Sequence, residues 1–179
     1  MPTTCPQPER RSLSAEIRAK GRRLEGYVAT FGAEARIADF TETIFPGAFS
    51  ASLSEGRDIL ALADHDPKRV LARTKAGTLR LAEDNHGLAF DLDVPATSYG
   101  NDLLALVESR NAGGMSFGFS IPKGGERWEG SRRELRNISL HEVSVVSAHP
   151  AYEGTVVHAR HRVILPPRLA AARRWIDTL

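Results

Sequence analysis

The chain has 179 residues and a formal net charge of +2, with 41% hydrophobic and 26% charged residues, the balance of one folded domain rather than of a disordered chain. A single cysteine, Cys5, excludes internal disulfide scaffolds and cysteine-based zinc modules. No run reaches the roughly 18 apolar residues of a membrane helix, and interleaved charges leave no phosphate-binding stripe, so neither a membrane nor a specific nucleic acid is expected as a partner.

Residues 1–11 hold three of the ten prolines and no periodicity, the character of a flexible arm. They also lack an apolar signal-peptide core, so a cytoplasmic location is expected. From Ser12 to Ala19 apolar and polar residues alternate as in a half-buried strand, and Gly21 turns the chain into a second strand, Arg23 to Phe31. A loop follows, carrying Phe40, Ile44 and the tetrad Gly47-Ala48-Phe49-Ser50, with a helical turn at Phe49 to Leu53. Ile59 to Ala63 reads as a strand ending in Asp64-His65-Asp66-Pro67, which puts His65 at a strand terminus. Val70 to Arg73, Thr78 to Leu81 and Leu88 to Val94 are further strands separated by turn-forming residues.

The spacing of Leu103, Leu104 and Val107 predicts one interior helix, capped by Ser98 or Asn101 and stopped by Asn111-Ala112-Gly113-Gly114. Met115, Phe117, Phe119 and Ile121 then alternate with Ser116, Gly118 and Ser120. Residues 123–134 read as a mobile surface loop, and Ile138 to Ser147 as a long strand. Thr155 to Ala159 is a last strand, and Arg168 to Leu179 a basic terminal helix. The division is an arm over 1–11, a domain over 12–165 and a helix over 166–179. About eight strands with one interior helix predict a mainly β, α+β fold, closed or nearly closed, with helices outside it.

Three positions carry candidate chemistry. Ser116 lies on the small-residue face of its strand and is expected to face a groove or solvent. His65 is the candidate general base, because imidazole is the side chain whose ordinary pKa lies near neutrality. Glu142 falls in an apolar row with Ile138, Leu140, Ser144 and Val146, and a carboxylate there needs a partner. His65 would be one, since a carboxylate on one ring nitrogen fixes the tautomer while the other nitrogen takes a serine proton. His141, on the opposite face, competes for that third role. The ordinary structural readings are an exposed strand face for Ser116, an Asp-Pro turn around His65 and a salt bridge to an arginine for Glu142. No nucleotide-binding loop, dinucleotide fingerprint, zincin motif or hydrolase elbow is present, and the expectation is no cofactor and no metal.

In order, Ile44-Phe45-Pro46-Gly47-Ala48-Phe49, His65-Asp66, Met115-Ser116-Phe117-Gly118-Phe119 and Glu142-Val143-Ser144-Val145-Val146 with Pro150-Ala151 resemble the prohead maturation proteases of tailed bacteriophages over residues 15–160. Gene transfer agents carry proteases of the same kind. The resemblance implies the fold of the herpesvirus capsid maturation proteases, a β-barrel surrounded by helices. It also implies Ser116 as nucleophile, His65 as base and Glu142 as third member, although the herpesvirus enzymes use a second histidine there. The implied substrates are scaffold and the scaffold-like N-terminal region of the major capsid protein, inside the procapsid, with a homodimer by analogy. The alternative is a catalytically silent capsid- or scaffold-binding protein on the same barrel.

Overall fold

The computed structural model describes residues 8–13, 17–112 and 114–147. In chain order the elements are β1 (Glu9–Leu13), β2 (Arg18–Lys20), β3 (Arg23–Thr30), β4 (Glu34–Ile37), β5 (Phe40–Ile44), α1 (Ser50–Ser54), β6 (Leu60–Ala63) and β7 (Asp66–Arg73). They continue with β8 (Leu79–Glu83), β9 (Gly87–Asp93), α2 (Ser98–Glu108), β10 (Gly114–Ser120), β11 (Glu126–Glu129), β12 (Arg132–Leu135) and β13 (Ser139–Val146). The strand and the helix expected beyond Pro150 lie outside the described residues. Among those residues no helix is long and apolar enough to cross a membrane.

The strands form three sheets, ordered β1-β10-β13-β6-β7, β11-β12-β5-β4 and β2-β3-β9-β8. The class is mixed α+β, as expected, while the pairing among the described residues gives three separate sheets and not a closed barrel. β13 is the middle strand of the first sheet, antiparallel to β10 and parallel to β6. Met115, Phe117 and Phe119 on one face of β10 are buried, and Phe117 stacks between Phe49, edge-on at 5.8 Å, and Phe119 at 5.2 Å. The Gly47-Ala48-Phe49-Ser50 tetrad docks α1 on β13: the Ala48 carbonyl accepts from the Ile138 amide at 2.9 Å, and the Ser52 hydroxyl from the Leu140 amide at 2.8 Å.

Several expectations are corrected. Glu9 to Arg11, read as part of the arm, belong to β1, because the edge of β10 offers them a complete antiparallel register from Glu9 opposite Phe119 to Leu13 opposite Met115. The alternation from Ser12 to Ala19 is not one strand; β1 and β2 belong to different sheets. The residues around Phe40 and Ile44 form the β4–β5 hairpin, and the mobile loop over 123–134 is the β11–β12 hairpin. Both were hidden by the same device, an inward charge where an apolar residue marks a strand. Glu42 in β5 is 2% exposed and Arg133 in β12 is 8% exposed, each held by ion pairs. The cap of α2 is Thr97, one residue before Ser98 and four before Asn101, its extended backbone letting the hydroxyl accept from the Gly100 amide.

Candidate active site

β6 and β7 are joined by a two-residue turn, Asp64-His65, in which both residues have positive φ, +51° and +58°. This is the backbone of a tight hairpin turn usually built from Asn-Gly, and side chains held there store about 1–3 kcal/mol each. Asp64 secures it: its carboxylate accepts from the Ser147 amide at 2.7 Å and the Ser147 hydroxyl at 2.9 Å, at the end of β13. His65 thus sits within the turn itself, and its ring lies against the small-residue face of β10.

That ring makes two short contacts. Nε2 is 2.7 Å from Ser116 Oγ, and Nδ1 is 2.6 Å from Glu142 Oε1. His65, Ser116 and Glu142, all expected from the sequence, are therefore brought together by three elements, the β6–β7 turn, β10 and β13. The His65 and Glu142 side chains are 14% and 15% exposed. Ser116 faces neither open groove nor solvent, which corrects the expectation: it is fully buried, because the ring and β1 cover it.

Strand registry explains the space for the carboxylate. Glu142 lies opposite Gly118, where a Cβ would stand 2.7 Å from Oε1 and 3.2 Å from Cγ of Glu142. A glycine at 118 is therefore what lets the carboxylate lie flat across β10 and reach the imidazole. His141 points elsewhere, its Nε2 2.9 Å from Ser120 Oγ; burial, and the charge of Arg57 beside it, hold its pKa below the ordinary value.

Sequence reasoning missed Ser144, whose hydroxyl donates to Glu142 Oε2 at 2.6 Å. Its signal was present, since residues 142 and 144 share a strand face. It also missed the part of β1. The Ser116 hydroxyl is 2.9 Å from the carbonyl oxygen of Arg11, within donating distance, and the Arg11 guanidinium pairs with buried Glu42. Nothing in the local pattern links residues so far apart in the chain. Among the described residues there is no group of histidine, cysteine, aspartate or glutamate able to hold a metal ion.

The arrangement is a hydroxyl on an imidazole on a carboxylate, the last oriented by a second hydroxyl. It can transfer a proton from the serine to the ring and hold the resulting positive charge, which is the chemistry of acyl transfer. No curated protein and no solved structure matches the chain. The family described as caudovirus prohead serine protease matches residues 10–166, and the segment matched holds Ser116, His65 and Glu142. The chain belongs to the caudovirus prohead serine protease family and is a serine protease of capsid maturation.

Proposed function

We propose that the protein is the endopeptidase that removes the scaffold-like N-terminal region of the major capsid protein, scaffold protein or both inside the procapsid, with Ser116 as nucleophile, His65 as general base and Glu142 as the group that orients it. The observation that carries the assignment of residues is the pair of contacts of the His65 ring, 2.7 Å to Ser116 and 2.6 Å to Glu142. Glu142 accepts a hydrogen bond from Nδ1–H and so leaves the lone pair of Nε2 facing the hydroxyl. His65 takes the Ser116 proton as Oγ bonds to the substrate carbonyl carbon. The ring then protonates the departing amine, and the acyl-enzyme is hydrolysed by a water that gives its proton to the same nitrogen. Ser144 holds the outer oxygen of Glu142 and acts as a positioning residue.

Confinement with many copies of the capsid protein supplies a high effective concentration, so tight intrinsic binding is not required. Addition of assembled procapsids is expected to raise the rate above that on free peptides.

The test is co-expression of wild type and Ser116→Ala with the cognate major capsid protein, followed by mass. Site-specific N-terminal shortening with the wild type, reduced by roughly 10⁴-fold or more in the variant, is the expected result. An uncut capsid protein that co-purifies with both forms would replace this reading with a binding role.

A further inference from the structure

The strand beside Ser116 carries a carbonyl where a substrate must bring one. β1 is antiparallel to β10 with Ser12 opposite Ser116, and the Arg11 carbonyl oxygen is 2.9 Å from Oγ. A peptide that binds by adding a strand to a sheet edge gains affinity from its main chain and specificity from alternate side chains. Glu9 and Arg11 are such a pair. Arg11 lays its guanidinium on Glu42, Nε 2.5 Å from Oε1 and Nη2 2.8 Å from Oε2, with the guanidinium carbon 5.4 Å from the centre of the Phe119 ring. Two residues back, Glu9 accepts from both terminal nitrogens of Arg133, each at 2.8 Å. This pairing holds the Glu9 carboxyl below its ordinary pKa, against the opposing effect of burial.

Among the described residues, the surface without β1 would carry Glu42 and Glu126 against the single guanidinium of Arg133. Two carboxylates facing one cation call for a second cation, at the place where Arg11 lies. Glu42 is 2% exposed, so its charge is little screened and a bidentate guanidinium fits it better than water or lysine.

We infer that residues 9–13 are a tethered substrate, that Glu42 recognises arginine on the acyl side of the scissile bond, and that the enzyme cuts its own Arg11–Ser12 peptide. This rests on the serine protease reading above. The Ser116 proton passes to His65 Nε2 as Oγ bonds to the Arg11 carbonyl carbon. The bond from that carbon to the Ser12 nitrogen breaks as His65 returns the proton to the nitrogen. Water then hydrolyses the Arg11 ester, leaving a carboxylate on Arg11 and restoring the hydroxyl. Before the cut, the hydroxyl faces the carbonyl oxygen, so the peptide plane must turn to present its carbon. Until it does, the Arg11 carbonyl competes with His65 for the hydroxyl proton, and β1 closes the site to other substrates. The same pockets select an acidic residue two before arginine in substrates supplied in trans.

The experiment incubates the purified full chain and reads its intact mass and N-terminus. Wild type should acquire a new N-terminus at Ser12, and Ser116→Ala and Arg11→Ala should not. Peptides with the sequence of residues 7–16, carrying arginine or alanine at position 11, should differ about 100-fold in kcat/KM, as expected for loss of a buried charge pair. Glu42→Gln should shrink that ratio at least tenfold. Cleavage of the capsid protein with Arg11–Ser12 intact, or equal hydrolysis of the two peptides, would overturn the inference and leave the protease reading standing. Wild type that cuts neither peptide nor capsid protein would overturn both.

Discussion

His65 occupies a left-handed backbone position that glycine or asparagine usually fills, and the cost is met by what the turn holds in place. The neighbouring residue-scale constraint is Gly118. Its φ is ordinary, so alanine there meets no backbone penalty, only the carboxylate of Glu142 at 2.7 Å. Gly118→Ala should therefore lower kcat by about 100-fold, the scale of a displacement near 1 Å in a catalytic group, with KM and thermal stability little changed. An unchanged kcat in steady-state assays would mean that the position of Glu142 does not limit the reaction. At this scale the sequence was most informative about groups on strands. Ser116 and Glu142 declare their faces by alternation, and His65 stands out beside a turn-forming pair. Glu42 and Arg11 were illegible because their meaning lies in an ion pair across 31 residues, between segments that local pattern assigns to a loop and an arm.

On the second four-stranded sheet, β3, β9 and β8 are stitched by charge as well as by main-chain bonds. Arg80 reaches Asp91 and Asp93, while Arg23 reaches Asp91 from the other side. Hydrogen bonds from Arg80, and then from Arg23, bring the Asp91 pKa down to about 2. Because the folded value lies below the unfolded one, this contribution is complete above the ordinary carboxylate pKa near 4 and is lost as pH falls toward 2. Asp91→Asn should lower stability at pH 7 modestly, as for a partly exposed network, and flatten the stability profile between pH 4 and 2 in chemical denaturation. Parallel acid profiles for variant and wild type would show that the network contributes nothing. Strands β3, β8 and β9 of this sheet were legible from their apolar rows. The β4–β5 and β11–β12 hairpins were not, since their inward positions Glu42 and Arg133 invert the pattern by which strands are recognised.

For the molecule as a whole, the sheet that bears Ser116 is anchored through Phe49, which lies between Phe31 at 6.3 Å and Phe117 at 5.8 Å and is fully buried. Phe49→Ala in a Ser116→Ala background should cost about 3–5 kcal/mol in urea unfolding, and a loss below 1 kcal/mol would show that the aromatic stack is not what joins helix to sheet. The overall α+β class was visible in the sequence, but the division into three sheets was not, because pairing between distant strands leaves no local trace. β13 has a further consequence through its place between β10 and β6. It joins the serine strand to the histidine turn, so the hydroxyl and the imidazole, 51 residues apart, and the imidazole and the carboxylate, 77 apart, come together through it. Contacts of such high sequence separation carry the loop-closure cost that slows folding. A chain still emerging from the ribosome has no carboxylate behind its histidine until residue 142 is made. The constellation of hydroxyl, imidazole and carboxylate is thereby incomplete until synthesis of the β13 region is finished.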